Sequence, residues 1–392
     1  MSLDEEALTR AIAQAEAAQG KGSGEADAIK EAKSLLEALR GEACDFYFVR
    51  ADAIRNGEIT LRSSFLKLKD EHPECIERKR MTFKEALSGT FVDTVCTVSH
   101  RWETSEEPDT QNVQLDALSS FLTEDPRGKR IDWIWYDYLC MPQGATRTEE
   151  QKVEFKVMLR NINMLYLGVT VLILLDISYM SRFWTQFEAW LSFMQGSKVG
   201  LVSAPRHQRR GVIKPIHNAT RKAAEQLVDM WADRDSKQAK VTLGAPDVTV
   251  TNESDKEEQL QKVLRFDARI SELFEEDPTL EQSRAEASGN NERRSAKRSS
   301  VMVNEALAKL GLDTSGDIES KMHRLADAVV SSSYLTPVSE ETLAEEADGR
   351  TSGSSVNVVK ALSSRLTRAI FKPGEAAPSS GAQGGPLRSL DA

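Results

Sequence analysis

Residues 169–175 read VTVLILL, inside the longest apolar run of the chain, residues 167–177 (LGVTVLILLDI). That run is about half the roughly 20 residues a membrane-spanning helix requires, and it closes on Asp176 and Ser178. An uninterrupted apolar strand is what a parallel sheet produces, because helices cover both of its faces. Outward from it, short apolar runs alternate with helical periodicity. Upstream, residues 93–99 (DTVCTVS) and 131–137 (IDWIWYD) read as two further strands, with Leu115, Leu118, Phe121 and Leu122 at helical spacing between them. A second helix opens near Thr148, where Thr148 and Gln151 stand at capping-box separation ahead of Phe155, Met158, Leu159, Ile162, Leu165 and Tyr166. Downstream, a helix opening at Ser181 carries Phe183, Phe187, Trp190, Leu191 and Met194 on one stripe. Residues 198–203 are expected as a fourth strand, 222–232 as a helix, and 247–252 (DVTVTN) as an edge strand or an irregular return. The fold class expected is α/β, a parallel sheet with crossover helices.

Four segments are expected along the chain. Residues 1–42 form a helical N-terminal arm in which Ile29, Ala32, Leu35, Leu36 and Leu39 share a face. Residues 43–90 are a linking segment, 91–266 the α/β domain, and 267–392 a polar, largely disordered C-terminal tail with short helices at 303–330 and 356–372. In the last of these, Val359, Leu362, Leu366 and Ile370 line one side, and Lys360, Arg365, Arg368 and Lys372 decorate the rest. Packing on the domain or a partner is expected for it ahead of contact with a membrane surface.

Composition narrows the function. The 392 residues hold 51 Lys and Arg against 61 Asp and Glu, a net charge of -10, so no nucleic-acid partner is expected. Cys44, Cys75, Cys96 and Cys140 are widely spaced with no Cys-x-x-Cys pair, which argues against a disulfide framework or a zinc site. His72, His207, His217 and His323 show no ligand spacing, and no metal is expected. The opening MSLDEEALTRAIAQAEAAQG lacks the basic start and apolar core of a secretory signal, so a cytoplasmic location is expected. GKGSG at 20–24 is no phosphate loop, since no strand precedes it.

Ligands of an open parallel sheet bind beyond the carboxyl ends of its strands. Here those ends read Ser99-His100-Arg101-Trp102, Asp137 through Gln143, and Asp176-Ile177-Ser178-Tyr179, followed by the helix start Ser181 to Glu188. Polar and aromatic residues therefore gather on one rim, as a site for an aromatic, hydroxylated ligand needs. Glu188 lies four residues after Trp184, one helical turn on, so the two are expected to share a face. The bland alternative keeps Trp184 in the core and pairs Glu188 with Arg182 or a backbone group. A Cys140 nucleophile requires His100 beside it, with no third group evident to orient it.

These residues carry a resemblance. SHRW at 99–102, WIWYDYLCMPQ at 133–143 and RFWTQFE at 182–188 resemble, in order, the three signature blocks of the fungal heterokaryon-incompatibility (HET) domain. Those blocks are Ser-Tyr-x-Trp, Trp-Ile-Asp-x-x-Cys-Ile-x-Gln and Arg-x-Trp-Thr-x-Gln-Glu. The last is also similar to the Ser-x-Trp-Cys-x-x-Glu helix start of TIR domains, with Trp184 and Glu188 in the same relation. The likeness spans roughly residues 91–200. His100 replaces the usual Tyr, Glu103 stands where Gly is common, and Gln186 and Phe187 depart from the order before Glu188.

The resemblance implies a flavodoxin-like, TIR-like sheet that hydrolyses the nicotinamide–ribose bond of NAD or a related dinucleotide. NAD is then a candidate substrate, and no cofactor is implied. Glu188 would be the catalytic residue, facing the forming sugar cation and its hydroxyls. Trp184 would pack on a ring, Arg101 would hold a phosphate, and Ser99 would donate to the same region. Trp102 would stack on a base or pyridine ring, and Asp137 would bind a ribose hydroxyl or fix the loop carrying Gln143; the equal alternative for Asp137 is structural, accepting backbone N–H groups past the strand end. The chemistry is self-consistent: nicotinamide in NAD is already a cation and departs neutral, so one carboxylate suffices where other glycosidases need two. The family also implies homo-oligomers activated by self-association. The rival reading is a non-catalytic self-association module. A third is a nucleoside deoxyribosyltransferase-like enzyme, with Asp137 or Asp176 as the second carboxylate.

Overall fold

The computed structural model describes residues 5–18, 23–144, 146–283 and short stretches between 303 and 324. The segment 356–372 and parts of 303–330, including 325–330, lie outside the described residues. The strands are β1 (Ala43–Arg50), β2 (Ile76–Thr82), β3 (Val95–Ser99), β4 (Trp133–Trp135), β5 (Thr170–Leu175), β6 (Met194–Ser197), β7 (Gly200–Ser203) and β8 (Gly211–Pro215). Six of them make one sheet in the order β2-β1-β4-β3-β5-β8, and β6 and β7 pair separately. β4, β3, β5 and β8 are mutually parallel, whereas β1 runs antiparallel to both β2 and β4.

The parallel strands cross the sheet in the chain order second, first, third, fourth. The chain thus steps from β3 to β4 on one side, then returns across β3 to β5. A sheet that reverses direction in this way opens a crevice beyond the carboxyl ends of the two strands flanking the reversal. Those strands are β3 and β5, and every residue of both is buried. Helices cover the two faces. A Cβ on Gly211 would meet Ser192 and Phe193 of the helix Phe183–Phe193, while Lys214 donates to Ala117 and Ser120 of the helix Val113–Glu124. Residues 211 and 214 differ in strand parity, so the two helices lie on opposite faces.

The capping box at Thr148 and Gln151 is formed, and it starts the helix Glu149–Arg160. The segment 43–90, expected as a linker, instead supplies β1 and β2. β2 reads IERKRMT because it is an edge strand, where charge on the outside is favourable and blunts further pairing. Residues 198–203, expected as a sheet strand, belong to the β6–β7 hairpin. Its Gly200 has φ +97°, and a Cβ there would lie 2.6 Å from Asp267. The fourth parallel strand is β8. Residues 247–252 make an irregular return with one bridge, Arg182 to Thr249. The expected domain end at residue 266 falls inside the helix Glu253–Glu276, whose Leu260, Val263, Phe266, Ile270 and Phe274 are buried.

The arm consists of helices Glu5–Ala18 and Ser23–Arg40. It is tied to the domain where Asn161 donates to the Ala38 carbonyl at 2.9 Å and Arg80 donates to Ser34 at 2.8 Å. No helix among the described residues is long and apolar enough to cross a membrane. In a second unit, Arg293–Ala392, Asp317 accepts from the Ser320 N–H at 2.8 Å and caps a short helical stretch.

Candidate functional site

Thr97 and Ser99 alternate along β3 and so face the same side of the sheet. Ser99, the last residue of the strand, is fully buried, and its Oγ donates to Glu188 Oε2 at 2.6 Å. Glu188 comes from the middle of the helix Phe183–Phe193 and is 8% exposed. Tyr179, from the turn that follows β5, places its hydroxyl 2.5 Å from Ser99 Oγ. With the serine proton committed to the carboxylate, Tyr179 donates to Ser99. A second hydroxyl, that of Tyr166 on the short helix Asn163–Gly168, also bonds the Glu188 carboxylate. The carboxyl therefore sits at the reversal between β3 and β5, where its partners among the described residues are hydroxyls.

No cation pairs with Glu188 among the described residues, and its ionisation responds accordingly. Burial pushes the carboxyl up to about 8, against the pull of the Ser99 and Tyr166 hydroxyls, and the negative charge of Asp137 adds to the rise. Glu188 holds a proton at neutral pH. Both tyrosines are pushed well above their ordinary range, first by burial and then by the charge of Glu188, so they stay protonated donors.

A partly exposed rim surrounds this buried core. Asp137 opens the short helix Asp137–Cys140; its Oδ2 accepts from Trp102 Nε1 at 2.9 Å and its Oδ1 from the Tyr138 N–H at 2.6 Å. His100 Nε2 stands 3.4 Å from Asp137 Oδ1, too poorly aligned for a hydrogen bond, while the imidazole stacks on Tyr136 at 4.1 Å. Tyr136 donates to Gln114, which in turn donates to the carbonyls of Arg101 and Pro108. Arg101 donates through Nε to Asp176 Oδ2 at 2.6 Å and through Nη1 to the Trp102 carbonyl. The other oxygen of Asp176 is buried without a hydrogen-bond partner, as is Gln186 Nε2.

The expected site residues thus separate into groups. Ser99 and Glu188 touch. Trp102 and Asp137 touch each other, with Trp102 edge-on to Tyr138 at 5.2 Å. Arg101 is paired with Asp176, not with Glu188. Trp184 is half-buried and edge-on to Phe183 and Phe187, and Gln143 is half-buried in the loop after Cys140. Cys140 is fully buried, donates to the Ile134 carbonyl, and is pushed up to about 12 by burial, which removes the cysteine-nucleophile alternative. In the sequence Tyr166 reads as part of a helix core stripe and Tyr179 as part of the rim after the third strand, and neither is assigned a contact with the site. Their only signal was a hydroxyl in otherwise apolar or turn positions.

No protein-family model, curated protein or solved structure matches the chain.

Proposed function

We propose that the chain is a TIR/HET-like hydrolase with a flavodoxin-like sheet, acting on the nicotinamide–ribose bond of NAD or a related dinucleotide. The observation that carries this reading is Glu188: a buried carboxyl at the reversal between β3 and β5, bonded to hydroxyls and with no counter-charge among the described residues. A pyridinium ring brought beside it supplies that charge, so substrate binding itself favours loss of the Glu188 proton. The ionised carboxylate then stabilises the sugar cation as the C1′–N bond breaks and the electron pair leaves with neutral nicotinamide. Water adds to the cation and loses a proton. Ser99 and Tyr166 aim the carboxylate, while Asp137, Trp102 and Trp184 offer polar and aromatic contacts from the rim.

A specific observation favours the rival reading, a non-catalytic self-association module. Arg101 is already paired with Asp176, and Trp102 with Asp137, so much of the rim is satisfied internally. Nicotinamide release from NAD, measured at high protein concentration, separates the two. The hydrolase reading predicts release that Glu188→Gln lowers by about a hundredfold or more. Release that is absent in every oligomeric state, or unchanged by the substitution, leaves the module.

A further inference from the structure

Away from the sheet's carboxyl edge, the chain passes from the helix Phe65–Glu71 into β2 through His72 and the turn Pro73–Cys75. The Cys75 N–H donates to the His72 carbonyl at 3.0 Å, which closes a 3₁₀ turn. In such a turn the side chains of residues three apart eclipse, so His72 and Cys75 project on the same side. Pro73 fixes the first step, and Glu74 folds its carboxylate between the two. One oxygen, Glu74 Oε1, lies 3.4 Å from His72 Nδ1 and 3.6 Å from Cys75 Sγ. One ligand atom from each of the three residues falls within 4.8 Å of the other two.

We propose that His72, Glu74 and Cys75 bind a borderline-soft divalent cation, zinc by preference, which staples the end of the helix Phe65–Glu71 to the start of β2. Nitrogen, oxygen and sulfur ligands at zinc distances and tetrahedral angles stand about 3.4–3.6 Å apart, which matches the two separations above. A thiolate and an imidazole select zinc over magnesium or calcium, which prefer all-oxygen shells. Three protein ligands leave the fourth position to water. Cys75 is 1% exposed, whereas the side chains of His72 and Glu74 are 42% and 64% exposed, so the site has a buried floor and an open route from solvent. Sequence spacing gave no sign of it, because His-x-Glu-Cys converges only when the 3₁₀ turn forms. This site is independent of the reading of Glu188.

The test uses the full-length protein, stripped of metal and kept reduced, titrated with Co²⁺ and then with Zn²⁺ against a chromogenic chelator. The expected result is one zinc per chain and a sulfur-to-cobalt charge-transfer band that zinc abolishes. Cys75→Ser removes that band, and His72→Gln weakens zinc binding about tenfold or more. Because Cys75 is buried and its variant can fail to fold, the half-exposed His72 position keeps the experiment decisive. A wild-type protein without a tight equivalent of zinc, or a His72→Gln protein that binds as wild type does, overturns the proposal.

Discussion

A carboxyl group buried among hydroxyls makes the folded state sensitive to pH in a direction opposite to most acids. Glu188 titrates at its ordinary 4.5 when the chain is unfolded and near 8 when it is folded. Below 4.5 both states keep the proton. Between the two values the unfolded state releases it and the folded state does not, so stability is lost as pH rises through this window, by on the order of 3–5 kcal/mol. Glu188→Gln cannot ionise and escapes the loss. Urea unfolding at pH 5 and pH 8.5 is expected to show the variant gaining on wild type by a few kcal/mol at the higher pH. Parallel slopes in the two proteins contradict the burial of an unpaired carboxyl. The same residue links stability to chemistry, since a group costly to ionise when unliganded responds most to a cationic ligand.

The helix that delivers Tyr166 depends on a close approach. A Cβ on Gly168 would lie 2.7 Å from the Ala86 backbone, on the helix Phe83–Ser88. Gly168→Ala therefore forces the two helices apart, which is expected to cost about 1–3 kcal/mol and to loosen the Tyr166 hydrogen bond. Denaturation gives the first effect, and an upward shift in the pH at which Glu188 ionises gives the second. Elements of this sheet differed in how well they could be read from sequence. β3, β4 and β5 were legible because strands covered on both faces are written as apolar runs. β1, ACDFYFVR, mixes charge into its buried pattern. β2 carries edge-strand charges, and β8, GVIKP, is only partly buried, so none of the three shows that signal. GLVS at β7 has an apolar pair that serves a hairpin instead. At the site, Ser99 was singled out because it ends a strand, and Glu188 because it follows Trp184 by one helical turn in a block that resembles HET and TIR domains. The pairing of Arg101 with Asp176 and the hydroxyls of Tyr166 and Tyr179 depend on contacts between distant segments, which local spacing does not encode.

At the scale of the whole molecule, the arm is packed on β1 and fastened through Asn161 and Arg80. If self-association activates the proposed hydrolase, the arm is one candidate element, and light scattering of the chain lacking residues 1–42 is expected to show a smaller assembly than the full chain. Equal protomer numbers place assembly elsewhere. The sheet reversal, the helix carrying Glu188 and the covering aromatic residues all converge on the ionisation of one carboxyl. Its most direct measurement is the pH dependence of kcat/KM for nicotinamide release, which reports the free enzyme. We predict a limb that rises with pH through about 8, the value set by burial of Glu188, and that disappears in Glu188→Gln. A rate independent of pH between about 6 and 9, or a limb retained in the variant, contradicts the assignment of Glu188 as the ionising catalytic group.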